Sequence, residues 1–157
     1  MSVFWEQQGL QTFGQRIQLT RPQASQPAFE RHFKQLIDQY GVVHAVNLLG
    51  SKENEAILTH AYDRHLQTAL ITFGEDNIGI THFDFHNAVR IGGHESVIRE
   101  LPSVNRIELW MSVSRLFRYL EDIRRNVDRF GFSMCDSTSD EIITDQRGVF
   151  RVNCLDW

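Results

Sequence analysis

The run "VVHAVNLL", Val42 to Leu49, is the segment that most restricts the fold. Continuous apolar β formers without polar alternation predict a strand covered on both faces, which a lone hairpin or an open surface sheet does not offer. What flanks the run agrees. Upstream, Ser25-Gln26-Pro27 resembles a helix start, and Phe29, Phe33, Leu36, Ile37 and Tyr40 follow at helical spacing before Gly41. Downstream, Asn54 to Ala69 brings Ile57, Leu58, Ala61, Tyr62, Leu66 and Ala69 to one helical face. Helix, strand and helix in that order predict an α/β fold with a mixed sheet flanked by helices.

The remaining segments fit around this centre. Arg16 to Thr20 alternates like a strand and is stopped by Pro22. "IGITHFDFH" alternates faces, with Ile80, His82, Asp84 and His86 on one side. Trp110, Val113, Phe117, Leu120 and Val127 recur at helical steps over Ile107 to Val127, which predicts the longest helix, ended by Gly131. Phe132 to Met134 reads as a short strand, Asp136 to Asp140 as loop, and Gly148 to Val152 as a final strand.

A chain of 157 residues with 41% hydrophobic and 23% charged residues is composed to pack one core. Its net charge of -4 excludes bulk electrostatic capture of nucleic acid, so any phosphate binding is local. Cys135 and Cys154 are too few for a disulfide framework and have no metal-ligand spacing, so a reducing compartment is expected. No segment approaches the ~18 apolar residues of a membrane span.

Several polar clusters have ordinary readings. His82, Asp84 and His86 share a strand face and offer a possible zinc ligand set, but they lie in a shallow line, which favours a polar strand end. His60 and His65 lie on different helix faces and read as solvated surface. Glu121, Asp122, Arg124, Arg125, Asp128 and Arg129 read as a solvated helix face with some ion pairing.

The end of the chain carries the chemistry. In enzymes that turn a cysteine thiolate on phosphate esters, a buried strand delivers the Cys to a loop of the form Cys-x5-Arg. The loop N–H groups and the following helix N-terminus then stabilise both thiolate and phosphoryl oxygens. Cys154 follows a suitable strand. Around it, "FERHFKQLIDQYGVVHAVNLL", "THFDFH" and "GVFRVNCLD", with "FWEQ" and "LTRPQ" upstream, resemble in order the Sac-type phosphoinositide phosphatases of the synaptojanin-like branch.

That family's closing motif is similar to Arg-Thr-Asn-Cys-x-Asp-Cys-Leu-Asp-Arg-Thr-Asn, with the first Cys as nucleophile. Arg151, Val152, Asn153, Cys154, Leu155 and Asp156 match its first six positions, with Val152 replacing Thr, and Trp157 stands where the second Cys is expected. The resemblance implies Cys154 as nucleophile, Asp156 as a loop residue able to protonate the leaving oxygen, and Arg151 and Asn153 at the substrate. It implies phosphoinositide headgroups at a membrane surface as partners, a cytoplasmic, peripheral location, and no metal or other cofactor.

Read against that pattern, residues 1–157 are expected to be a fragment of one Sac domain. The N-terminal subdomain and the part after the nucleophile fall outside it, and 101–129 depart from the pattern, as an insertion or a misread stretch of gene would. The arginine expected six residues after Cys154 lies beyond Trp157, so the chain alone is expected to be inactive. The alternatives are a non-catalytic headgroup-binding module using Arg21, Arg90, Arg147 and Arg151, or a structural fragment.

Overall fold

The computed structural model describes residues 3–8, 16–51, 53–84, 87 and 121–155. The fold is α/β. Its centre is a parallel sheet of three strands, β3 (Val42–Asn47), β4 (Ile78–His82) and β7 (Gly148–Asn153), in the order β4-β3-β7. The apolar run at Val42 thus becomes the middle strand, as its composition requires. Two antiparallel ribbons accompany it: β1 (Trp5–Gln8) with β2 (Arg16–Leu19), and β5 (Met134–Cys135) with β6 (Ile142–Thr144).

Parallel neighbours need a crossover, and α2 (Glu53–Phe73) supplies it between β3 and β4. The other helix before β3, α1 (Pro22–Tyr40), begins earlier than the Ser25-Gln26-Pro27 signal implies. Pro22 occupies the first turn, where its missing N–H costs nothing, while Pro27 lies inside the helix. Ser25 does not cap. It is buried, accepts the Phe4 N–H and donates its hydroxyl to the Arg21 carbonyl, which joins α1 to the first ribbon. Gly41 ends α1 with φ of 85°, a conformation costly for residues with a Cβ.

Side chains of Val43, Ala45, Ile78, Ile80 and Val149 meet both helices on one face of the sheet. There they pack with Phe29, Phe33, Tyr62, Leu66 and Ala69. Phe29 stacks on Phe33 at 4.6 Å and meets Tyr62 edge-on at 5.3 Å. Ile57 departs from the expected α2 face and is 41% exposed. His65 departs the other way: it is 5% exposed, lies against the Phe29 ring and bonds Gln26 Oε1 through Nδ1 at 2.5 Å. Its position toward α1, which helical spacing within α2 does not reveal, takes it out of solvent; His60 is exposed as expected.

The opposite face carries His44 and Thr81, bonded at 2.8 Å, and Phe150, which meets Phe130 at 5.1 Å. Phe130 closes the helical stretch 121–130, whose charged residues are mostly exposed, with Arg125 paired to Asp122. Gly131 ends it at φ of 66°. The rest of the long expected helix, and residues 101–120 of the expected insertion, lie outside the described residues. The expected strand at Phe132 is instead Met134–Cys135, with β6 as its unforeseen partner.

Candidate functional site

In a parallel α/β sheet ligands sit beyond the carboxyl ends of the strands, where loops converge. Here the register aligns three strand ends: Asn47 of β3 is opposite His82 of β4 and Asn153 of β7. Cys154 is the first residue past β7. Its thiol is half-buried and donates to the Leu155 carbonyl at 3.3 Å. Leu155 packs on the cluster of Ile17, Leu49 and Leu58, so the residue after the cysteine has an apolar anchor.

The residue before it is held by amides. Asn153 is 2% exposed, and its Nδ2 donates to Asn47 Oδ1 at 3.1 Å. The same oxygen accepts the Leu49 N–H at 3.3 Å, and the Leu48 N–H donates to the Asn153 carbonyl at 2.8 Å. Resemblance implies a role for Asn153, whereas no motif marks Asn47. The available signal was a polar amide inside a buried apolar run, which must find partners.

The β3–α2 loop is also fixed. The Gly50 N–H donates to Glu55 Oε2 at 2.7 Å, and Thr59 Oγ1 donates to the Gly50 carbonyl at 2.8 Å. The Ser51 N–H and hydroxyl both donate to Asp84 Oδ2, at 3.1 and 2.9 Å. Asp84 therefore braces this loop, while His82 faces Asp63 of α2 at 3.6 Å. Burial raises the Asp63 carboxyl above the usual range, against the pull of His82 and His60. His86 lies outside the described residues, and no group of three metal-ligating side chains occurs among those described.

Arg151 does not reach across the strand end in its present bonds. Its Nε donates to His32 Nε2 at 3.0 Å, and a terminal nitrogen donates to the Val152 carbonyl. Burial, with the Arg151 charge second, lowers the His32 pKa, which keeps that nitrogen an acceptor. Nor are the other arginines gathered. Arg21 lies over the Phe4 ring at 5.8 Å. Arg147 precedes β7 and Cys154 follows it, so the two sit at opposite ends of a strand roughly 20 Å long. Arg90 and Asp156 lie outside the described residues.

Comparison with known proteins gives one consistent result. The SacI homology domain model matches residues 2–90. The chain is 37% identical over 155 residues to inositol-1,4,5-trisphosphate 5-phosphatase 1 of Schizosaccharomyces pombe. It is 33% identical over 156 residues to a polyphosphatidylinositol phosphatase of Saccharomyces cerevisiae and 35% identical over 155 to synaptojanin-1 of Mus musculus. Each match covers 98% of the chain, so the likeness runs past residue 90 into β7. The chain spans only 12%, 12% and 8% of these relatives. No solved structure matches it.

Proposed function

Because this chain belongs to the SacI homology family, we propose that it carries the nucleophile-bearing edge of a phosphoinositide monophosphate phosphatase, with Cys154 as nucleophile. The observation that supports this most is the placement of Cys154. It lies immediately beyond the parallel strand β7, beside buried Asn47 at the end of β3 and at the same end of the sheet as His82 of β4. The relatives' names, an inositol trisphosphate phosphatase and a polyphosphatidylinositol phosphatase, supply the substrate class.

In the proposed reaction the thiolate attacks phosphorus, and the S–P bond forms as the P–O bond to the inositol ring breaks. The departing oxygen takes a proton, for which Asp156 is the proposed donor. Water then attacks the cysteinyl phosphate, releasing inorganic phosphate and restoring the thiol. Asn153 orients the loop start, and Arg151 is proposed to leave His32 for the phosphoryl oxygens when substrate binds. The substrate headgroup sits at a cytoplasmic membrane surface; no helix among the described residues is long and apolar enough to cross a membrane.

The isolated 157-residue polypeptide is proposed to turn over at background rate, since the family pattern places its closing arginine six residues after Cys154. The test is phosphate release from vesicles containing a phosphatidylinositol monophosphate by the full protein carrying this sequence. Cys154→Ser should lower release by several orders of magnitude, as removal of a nucleophile does, and Cys135→Ser should leave it unchanged. Release that survives Cys154→Ser overturns the reading.

A further inference from the structure

We infer that Asn47 is the positioning residue for Cys154, an inference that rests on the reading of Cys154 as the nucleophile. One atom, Asn47 Oδ1, bonds the residue before the cysteine and a member of the apolar cluster on which the residue after it packs. It accepts from Asn153 Nδ2 at 3.1 Å, which fixes the residue before Cys154. It also accepts the Leu49 N–H at 3.3 Å, and Leu49 belongs to the apolar cluster on which Leu155, the residue after Cys154, is packed. Main-chain bonds set Asn47 itself, whose carbonyl accepts the Phe83 N–H at 2.8 Å from the β4 side. The bonds therefore link the ends of β3, β4 and β7 at the residue that precedes the thiol.

Energetics indicates that the pair is there for geometry. Asn47 is 1% and Asn153 2% exposed. Asn47 Nδ2 and Asn153 Oδ1 have no hydrogen-bond partner among the described residues. A buried donor and a buried acceptor left unpaired each cost free energy that two aliphatic side chains would not. What aliphatic side chains cannot do is fix one rotamer of Asn153 by a directed bond. Successive Cα atoms lie about 3.8 Å apart, so fixing Asn153 confines where the Cys154 Sγ starts.

The experiment is alkylation of Cys154 by iodoacetamide, followed by mass spectrometry in the 157-residue chain carrying Cys135→Ser. It reads the tether whether or not the chain hydrolyses phosphate, so its failure is distinct from failure of the phosphatase reading. Asn47→Ala should speed alkylation about tenfold, the effect of one lost buried hydrogen bond on local opening. Asn153→Ala removes only one of the two bonds that Asn47→Ala removes and should speed alkylation by no more than that, and the double variant should not exceed Asn47→Ala, whose loss already includes the shared bond. Val46→Ala, a loss of packing one residue away in β3, should leave the rate unchanged.

Equal acceleration by Val46→Ala, or strictly multiplicative single effects, would reduce Asn47 to general packing and overturn the inference. Should the alanine variants not fold, the unaltered chain decides. Its Leu49 amide, bonded to a side chain rather than to a strand, should be protected from hydrogen exchange, and a freely exchanging Leu49 amide overturns the inference.

Discussion

Beneath α1 and α2 the sheet is sealed by carbon: Phe29, Phe33, Val43, Ala45, Leu66 and Ala69 are buried against one another with no polar atom to place. At the carboxyl ends of the same strands the buried groups are amides, beside an imidazole and a thiol, and two amide atoms have no partner among the described residues. The first region converts burial into stability. The second, on the proposal above, gives up part of that stability to hold the Cys154 thiol in one place. Substitutions in the two regions should therefore differ in kind as well as size.

The largest effect belongs to the core. Phe29→Ala removes a side chain with no exposed surface that contacts Phe33, Tyr62 and His65. It should cost about 3–5 kcal/mol of unfolding free energy by denaturant titration. In the fraction that remains folded, Cys154 alkylation should be unchanged; a matching rise would erase the distinction between the regions. Gly148→Ala probes the other face, where an added Cβ falls 2.2 Å from a Phe130 ring carbon. The clash should cost about 1–3 kcal/mol and again spare the thiol.

Tyr62 is the polar exception within the core, its ring packed there and its hydroxyl unpaired among the described residues. Burial pushes its pKa up to about 12. The unfolded phenol ionises near 10, so between pH 10 and 12 the folded state binds more protons and stability falls as pH rises. Tyr62→Phe should flatten that part of the stability profile and be nearly neutral at pH 7, because no hydrogen bond to a described residue is lost.

The smallest effect is at mild acid. Burial lowers the pKa of His32, His44 and His65. Their contribution is complete above the unfolded value near 6.5 and is lost as pH falls below it. The melting temperature should decline from pH 7 toward pH 5.5; a rise over that interval would contradict the neutral state of these rings.

How far the sequence anticipates this arrangement depends on the distance over which each feature is determined. The β3 strand is legible because both its neighbours demand apolar residues, and that demand is written along Val42 to Val46. The helix start is misplaced because Pro27 carries a local signal that Pro22 also carries, and only contact of Ser25 with Phe4 distinguishes them. His65 is misjudged because its burial comes from α1, 39 residues away at Gln26. Strand β6 is missed because its residues pair only with β5 and stay exposed, so no buried face marks them. At the candidate site, Cys154 and Asn153 are implied by resemblance alone, whereas Asn47 bonds a residue 106 positions away, which no local pattern records.

The most direct trial of the central claim is acid-quench trapping of the reaction intermediate in the full protein that carries this sequence, using a phosphatidylinositol monophosphate labelled in its phosphate. The account predicts one labelled phosphoryl group on the peptide containing Cys154, absent after Cys154→Ser. Label on another residue, or steady turnover with Cys154 never phosphorylated, would contradict it.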